Sequence, residues 1–197
     1  ILADREGTVW IASASRVRVL LNGASRFVAR DTDLPNASPV RNISMDPRGR
    51  VLVTTDKGLA RFSEGRWHLF GADQGLGSDG ASSMCTDREG SVWIGTRGGG
   101  LARWLGYREW TTWTKAEGLP SDHVWAINRD PLGHLWVGTQ GGLTELSPEG
   151  RPLRSWTQKE GLPNVLIGSI AVQTSGVVWT GSFPGGVARV DPRSGVV

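Results

Sequence analysis

Three histidines, one cysteine and a recurring turn aspartate are the residues of this chain that could serve as bases, nucleophiles or metal ligands. His68, His123 and His134 stand at non-equivalent places in a repeating pattern. Asp122 and His123 are neighbours, and a carboxylate beside an imidazole is the raw material of a general acid–base pair. Neighbours along a strand point to opposite faces, however, which argues against that pairing. His134 follows a turn glycine, in a slot held elsewhere by Thr8, Arg50 and Ser91, and is expected to be exposed. His68 falls in an outer strand. Cys85 lies in an apolar stretch with no second cysteine, and is expected to be an inert buried thiol. No Cys/His spacing of a metal site is present, and the turn aspartates lack the alternating carboxylates of a calcium loop. "GLGSDG" (75–80) misses the spacing of a nucleophile elbow. "GTRGGG" (95–100) lacks the Lys and Ser/Thr of a phosphate loop. The chemistry predicted from these residues is therefore binding rather than catalysis, with no metal and no cofactor.

The elements that would position such residues are written as a repeat. "DREGTVWIAS" at 4–13 returns as "DPRGRVLVTT" at 46–55, "DREGSVWIGT" at 87–96, "DPLGHLWVGT" at 130–139 and a worn "QTSGVVWTGS" at 173–182, a period of 41 to 43 residues. Within 81–120, "ASSMCT" has strand length, "DREG" is a turn with Gly suited to a left-handed position, and "SVWIGT" is a strand apolar on both faces. "LARW" and "EWTTWT" follow as two more strands, and "KAEGLPSDH" is a longer connection. Four short antiparallel strands per unit of this length make a propeller blade.

The predicted fold is thus all-β: a β-propeller of four-stranded antiparallel blades, here an incomplete arc of about four to five blades over residues 1–197. The units run about 4–45, 46–86, 87–129, 130–172 and a partial 173–197. About eighteen strands are expected, as three complete blades between two incomplete ones. Blades stack face against face, so Trp93 should pack into one neighbour while Val92 and Ile94 pack into the other, with Gly95 leaving room for the adjacent blade. Trp10, Trp136 and Trp179 should be wedged in the same way.

Composition agrees. The chain holds 28 Gly and 10 Trp, with 38% apolar and 21% charged residues, which suits short strands and tight turns around a sizeable core. No apolar run approaches the roughly 18 residues of a membrane helix, so no membrane contact is expected of this segment. The net charge is +3, but the arginines are scattered through equivalent turn slots (Arg5, Arg48, Arg88; Arg66, Arg108, Arg151). Nucleic-acid binding would need them grouped on one face, and is not expected. The opening "ILAD", inside an apparent strand, reads as an excerpt of a longer protein. An open arc leaves blade faces bare, to be covered by the remaining blades of the same protein or by a second copy in a homodimer.

The run "DREGSVWIGTRGGGLARW…EWTTWTKAEGLPSDHVWAINRD" resembles the two-component regulator propeller repeat: Asp-x-x-Gly, Val/Leu-Trp-Ile/Val-Gly-Thr, Gly-Leu and Gly-Leu-Pro at fixed offsets, several times over. The first copy lacks Gly-Leu after its Trp strand, and the fifth departs at Gln173 and Ser175. The resemblance implies propellers of about seven blades in the periplasmic sensor region of bacterial hybrid histidine kinases or related inner-membrane signalling proteins, some of which sense oligosaccharides. It implies a non-catalytic, ligand-sensing segment. The alternatives are a propeller enzyme, such as a lyase, and a lectin or protein-interaction scaffold.

If the strand before each Asp turn is innermost, as the family suggests, the loops after "WIGT" and the "GLPS" crossovers share one rim. Rim positions that differ between units can build an asymmetric site. These are Asp79, Asp122 with His123, and Asn164 before the inner strands; Arg41 and Trp125 at their starts; and Lys57, Arg97 and Gln140 in the other rim loop. Arg, Asp, Asn and an accessible Trp could recognise sugar hydroxyls or a carboxylate of a small molecule or glycan. Capping of strand ends is the competing role for each, and packing against the neighbouring sheet is the competing role for Trp125.

Overall fold

The computed structural model describes residues 1–14, 16–34, 39–78, 80–106, 109–195 and 197. Each repeat folds as its own antiparallel sheet. The first sheet is β1 (Leu2–Ala3), β2 (Val9–Ser13), β3 (Arg16–Leu20) and β4 (Val28–Ala29); the second is β5 (Asn42–Met45), β6 (Val51–Thr55), β7 (Gly58–Ser63) and β8 (Arg66–Phe70). The third is β9 (Ala81–Thr86), β10 (Val92–Thr96), β11 (Leu101–Gly106) and β12 (Glu109–Trp113), and the fourth is β13 (Val124–Arg129), β14 (Leu135–Thr139), β15 (Gly142–Leu146) and β16 (Pro152–Trp156). The fifth has three strands, β17 (Leu166–Val172), β18 (Val178–Phe183) and β19 (Val187–Val190). The described residues thus form nineteen strands rather than about eighteen. The extra one is β1, whose Leu2 pairs with Trp10, so the first sheet has four strands instead of being incomplete.

Strand order within every sheet is sequence order, and β5, β9, β13 and β17 lie side by side. The strand before each Asp turn is therefore the innermost of its blade, and the sheets form an open propeller arc. Crossovers that open on a short 3-10 turn lead from β8, β12 and β16 to the next innermost strand. Two of them begin with a Thr-x-x-Glu box: Glu117 accepts from the Thr114 N–H at 2.7 Å, and Glu160 from the Thr157 N–H at 2.8 Å. Each box closes on a left-handed glycine, Gly118 or Gly161.

The core is divided into four layers, one between each pair of successive sheets. Trp10, Val17 and Val19 meet Val51, Val53 and Ala60. Leu52 and Leu59 meet Met84, Val92 and Ile94. Trp93 and Leu101 meet Val124, Leu135 and Val137. Trp136, Leu143 and Trp156 meet Ile167, Val178 and Val190. The second strands of the second, third and fourth sheets are thus two-faced: the Trp or Leu faces the following sheet, and the flanking Val or Ile faces the preceding one. Burial of one such side chain contributes a few kcal/mol.

Trp179 departs from the expectation. Trp93 and Trp136 are fully buried, but Trp179 is 38% exposed, with Phe183 and Val187 beside it at 68% and 70%. The same alternation holds in β18, where Val178 and Thr180 are buried against the fourth sheet. The face bearing Trp179 meets no further sheet among the described residues.

Candidate functional site

The rim of the inner strands is irregular in a repeated way. In β9 and β10 the pairing slips between Gly95 and Thr96, leaving Ser82 unpaired. In β13 and β14 it slips around Trp125, between Val124 and Ala126. In β17 and β18 it slips around Gly168, between Ile167 and Ser169. These are β-bulges, which bend a strand and re-aim one side chain. They fall in one equivalent slot of three blades, and the residue there differs each time. Ser82 is buried, and its single hydroxyl proton is shared between the Gly95 carbonyl at 2.9 Å and the Val124 carbonyl of the next blade. Trp125 is half-buried, and its indole N–H has no acceptor among the described residues. Gly168 is exposed.

Beside the bulges runs a chain of charged and polar residues. Arg41, at the start of the second sheet, donates from Nε to Asp56 Oδ1 at 2.9 Å. Arg97, in the β10–β11 turn of the third sheet, donates from Nη2 to the same oxygen at 2.6 Å. Asp56 is held below its usual carboxylate range chiefly by the hydrogen bond from Arg41; partial burial opposes this, and the charges of Arg41, Arg97 and Lys57 reinforce it. Arg97 is also bridged to His123 through the backbone, and the Gln140 N–H donates to the His123 carbonyl at 2.9 Å. Arg41, Lys57, Arg97, His123 and Gln140 therefore lie along one continuous stretch of rim across three sheets. Arg41 and Arg97 remain about one-third exposed, at 33% and 31% of their side chains. Two guanidinium groups around one carboxylate leave a surplus of cationic donors facing solvent, suited to a carboxylate or to sugar hydroxyls.

The remaining expected residues do other work or lie elsewhere. Asp122 accepts from the Lys115 N–H at 2.7 Å, and its carbonyl accepts from the N–H groups of Gly98 and Gly100. It ties a crossover to the preceding blade, and its carboxylate is engaged there rather than with His123. Asn164 accepts from the adjacent Val165 N–H at 3.0 Å and belongs to the next crossover. Asp79 lies outside the described residues. Asp56 was missed by sequence reasoning, although the signal was present: the second unit writes Asp56-Lys57 where the third and fourth write Arg97-Gly98 and Gln140-Gly141.

The opposite end of the sheets carries the Asp turns. There, between the second and third sheets, a cavity of about 520 Å³ is lined by Asp46, Arg48, Arg50, Arg61, Glu89 and Trp104, among others. His134 lies in a turn at this end. It is not free in solvent as expected, because its Nδ1 sits 2.9 Å from Glu145 Oε1.

Residues 75–98 and 118–141 match the Two component regulator propeller family. The third and fourth units are thus similar to the two component regulator propeller repeat. Their two matched segments each run from a crossover glycine through an inner strand to the turn after the Trp strand. Among solved structures, this propeller arc is similar to the extracellular domain of a candidate hybrid two component system of B. thetaiotaomicron, BT3049, with a TM-score of 0.81 and 22% identity over 98% of this chain and 27% of that one. The corresponding domain of BT4673 from the same organism gives 0.78 and 20% over 98% and 29%. Virginiamycin B lyase from Staphylococcus aureus gives 0.73 and 13% over 98% and 66%. At these identities the likeness concerns the fold. The chain spans between a quarter and a third of the length of the two B. thetaiotaomicron domains. No curated protein sequence matches it. No helix among the described residues is long and apolar enough to cross a membrane.

Proposed function

We propose that this chain is a ligand-sensing segment of the periplasmic, extracytoplasmic part of a bacterial two-component-type signalling protein of the inner membrane, and that it is not itself catalytic. The observation that carries this reading is the bulge repeated at the rim of three successive inner strands. A scaffold feature is reused with a different residue in each blade, which is how a repeat protein builds an asymmetric binding surface. Trp125, with its unpartnered indole N–H, and the Arg41–Asp56–Arg97 cluster flank that surface. Together they suit a small molecule or glycan with hydroxyl or carboxylate groups. The likeness to extracellular domains of two component systems supports both the setting and the dependence on further blades and signalling domains of the same protein.

The test is a thermal-shift screen of the intact ectodomain against neutral and acidic oligosaccharides, followed by calorimetry on any hit. Trp125→Ala and Arg97→Ala should each weaken binding about tenfold or more, a loss of ~1.4 kcal/mol. Unchanged affinity in both variants would remove the rim from consideration.

A further inference from the structure

We propose that Asp130, His134 and Glu145 form a site for a divalent metal ion of the zinc class on the Asp-turn end of the fourth sheet. One ligand atom from each lies within 4.8 Å of the others. His134 Nδ1 is 2.9 Å from Glu145 Oε1 and 3.4 Å from Asp130 Oδ2. Ligand atoms held tetrahedrally at about 2.0–2.2 Å from zinc stand roughly 3.4 Å apart. The His–Asp distance already has that value, and the His–Glu contact needs to open by only a fraction of an ångström.

The Asp turns of the second and third sheets each receive a guanidinium. Asp46 takes Arg50 Nε at 2.6 Å, from the slot that His134 fills in the fourth sheet. Asp87 takes Arg103 Nη2 at 3.1 Å, from the slot that Glu145 fills. The fourth sheet thus replaces one arginine by an imidazole and the other by a second carboxylate. The nearby described arginines make no ion pair with these two carboxylates: Arg129 turns toward Asp87 and Glu89 of the third sheet and onto the Gly133 carbonyl, and Arg154, the cross-strand neighbour of Glu145, acts on it only through its charge and lies over the Trp156 ring. Among the described residues, His134 is the ion-pairing partner of both carboxylates. Two partly buried carboxylates converge on one imidazole where a guanidinium stands in the second and third sheets, and a metal ion would supply the positive charge.

A second observation points into the same place. In the first and third sheets the strand Trp donates its indole N–H to the turn aspartate, Trp10 to Asp4 at 3.0 Å and Trp93 to Asp87 at 2.9 Å. Trp136 occupies the same slot, is fully buried, and has no acceptor for its N–H among the described residues. An orphaned buried donor is costly. The orphaned donor sits in the slot that serves the turn aspartate in the first and third sheets, so this end of the sheet lacks a polar partner, and the 29% exposure of the His134 side chain leaves a route for an ion. The site is hidden from spacing rules because Glu145 arrives from the neighbouring strand, across the β14–β15 hairpin.

The test uses residues that the chain itself places in the equivalent slots. Calorimetric titration of the chain with zinc chloride should give one equivalent bound. His134→Ser, as in Ser91, and Glu145→Arg, as in Arg103, should keep the metal-free melting transition while lowering zinc affinity by at least about 100-fold, the upper end of what losing even an outer partner costs. His68→Ala should bind as the parent does. Cobalt substitution adds a readout independent of folding: the intense visible absorption of a four-coordinate site should appear in the parent and be missing from Glu145→Arg. Absence of zinc uptake by the parent, or undiminished uptake by both site variants, would overturn the proposal.

Discussion

Trp93 donates its indole N–H to Asp87 Oδ2 at 2.9 Å, so the side chain that fills the layer between the third and fourth sheets also locks the turn of its own hairpin. Asp87 is buried and accepts in addition from the Ser91 N–H at 2.6 Å and from Arg103 at 3.1 Å. One carboxylate thereby closes the turn, orients the indole and neutralises an arginine that lies over the Trp93 ring at 4.9 Å.

Removing that carboxylate should be expensive. Asp87→Ala leaves a buried indole N–H and a guanidinium without their acceptor, and should cost about 3–5 kcal/mol. Urea denaturation monitored by tryptophan fluorescence measures it. Burial by itself would raise the Asp87 pKa, but the hydrogen bonds from Trp93 and Ser91 and the charges of Arg103 and Arg129 together outweigh it and hold the group below its usual value. The folded value therefore lies under the unfolded one of about 3.9. The resulting stabilisation is present in full above that value and is lost as pH falls toward the depressed one. Asp87→Asn should flatten the decline in melting temperature on the acid side of pH 4, with little change in its slope near neutrality.

Two tryptophans in the same repeat slot should behave differently. Trp93→Ala empties a fully buried layer and should cost about 3–5 kcal/mol. Trp179→Ala, at a face that meets no further sheet among the described residues and with 38% of the residue exposed, should cost less than about half of that. Parallel denaturation of the two variants checks the ratio, and equal losses would contradict the layered core.

Gly95 sets the approach of two blades. A Cβ there would lie 2.6 Å from Val124 Cγ1 of the fourth sheet and 2.6 Å from Ser83 Oγ. Gly95→Ala should therefore force the third and fourth sheets apart and cost about 1–3 kcal/mol as an overpacked interior does. Its counterpart Gly138 meets Ile167 of the fifth sheet at 2.7 Å, so Gly138→Ala should destabilise to a similar degree. Thermal melting of both variants gives the comparison.

The thiol of Cys85 should be inert in the folded chain. Burial pushes its pKa up to about 12, with Arg129 opposing and Asp87 adding to the rise. At pH 8 the thiolate fraction is then on the order of one part in ten thousand. Reaction with an aromatic disulfide reagent should be slow in the native chain and become fast on addition of urea.

Much of the architecture was legible because a repeat compares itself. The five copies of the Asp-turn and Trp-strand phrase carried the sheet count, and Val92-Trp93-Ile94, apolar on both faces, carried the stacking. Gly95 was readable as a spacer since every side chain there would meet the next blade. Less legible were β1, too short at Leu2–Ala3 to leave a pattern, and Asp56, whose importance depends on Arg41 and Arg97 reaching it from two different sheets. His134 looked exposed because its partner Glu145 lies on another strand.

By itself, then, the order of residues determined the repeat, the strand periodicity and the two-faced second strand, all of which follow from contacts and turns within about forty residues. Only the tertiary structure decided which charged side chains meet, because those pairs span separate strands or sheets whose relative placement depends on how the layers pack. The same packing left Trp179 half-open while its equivalents are sealed: burial at that slot depends on whether another sheet lies against it.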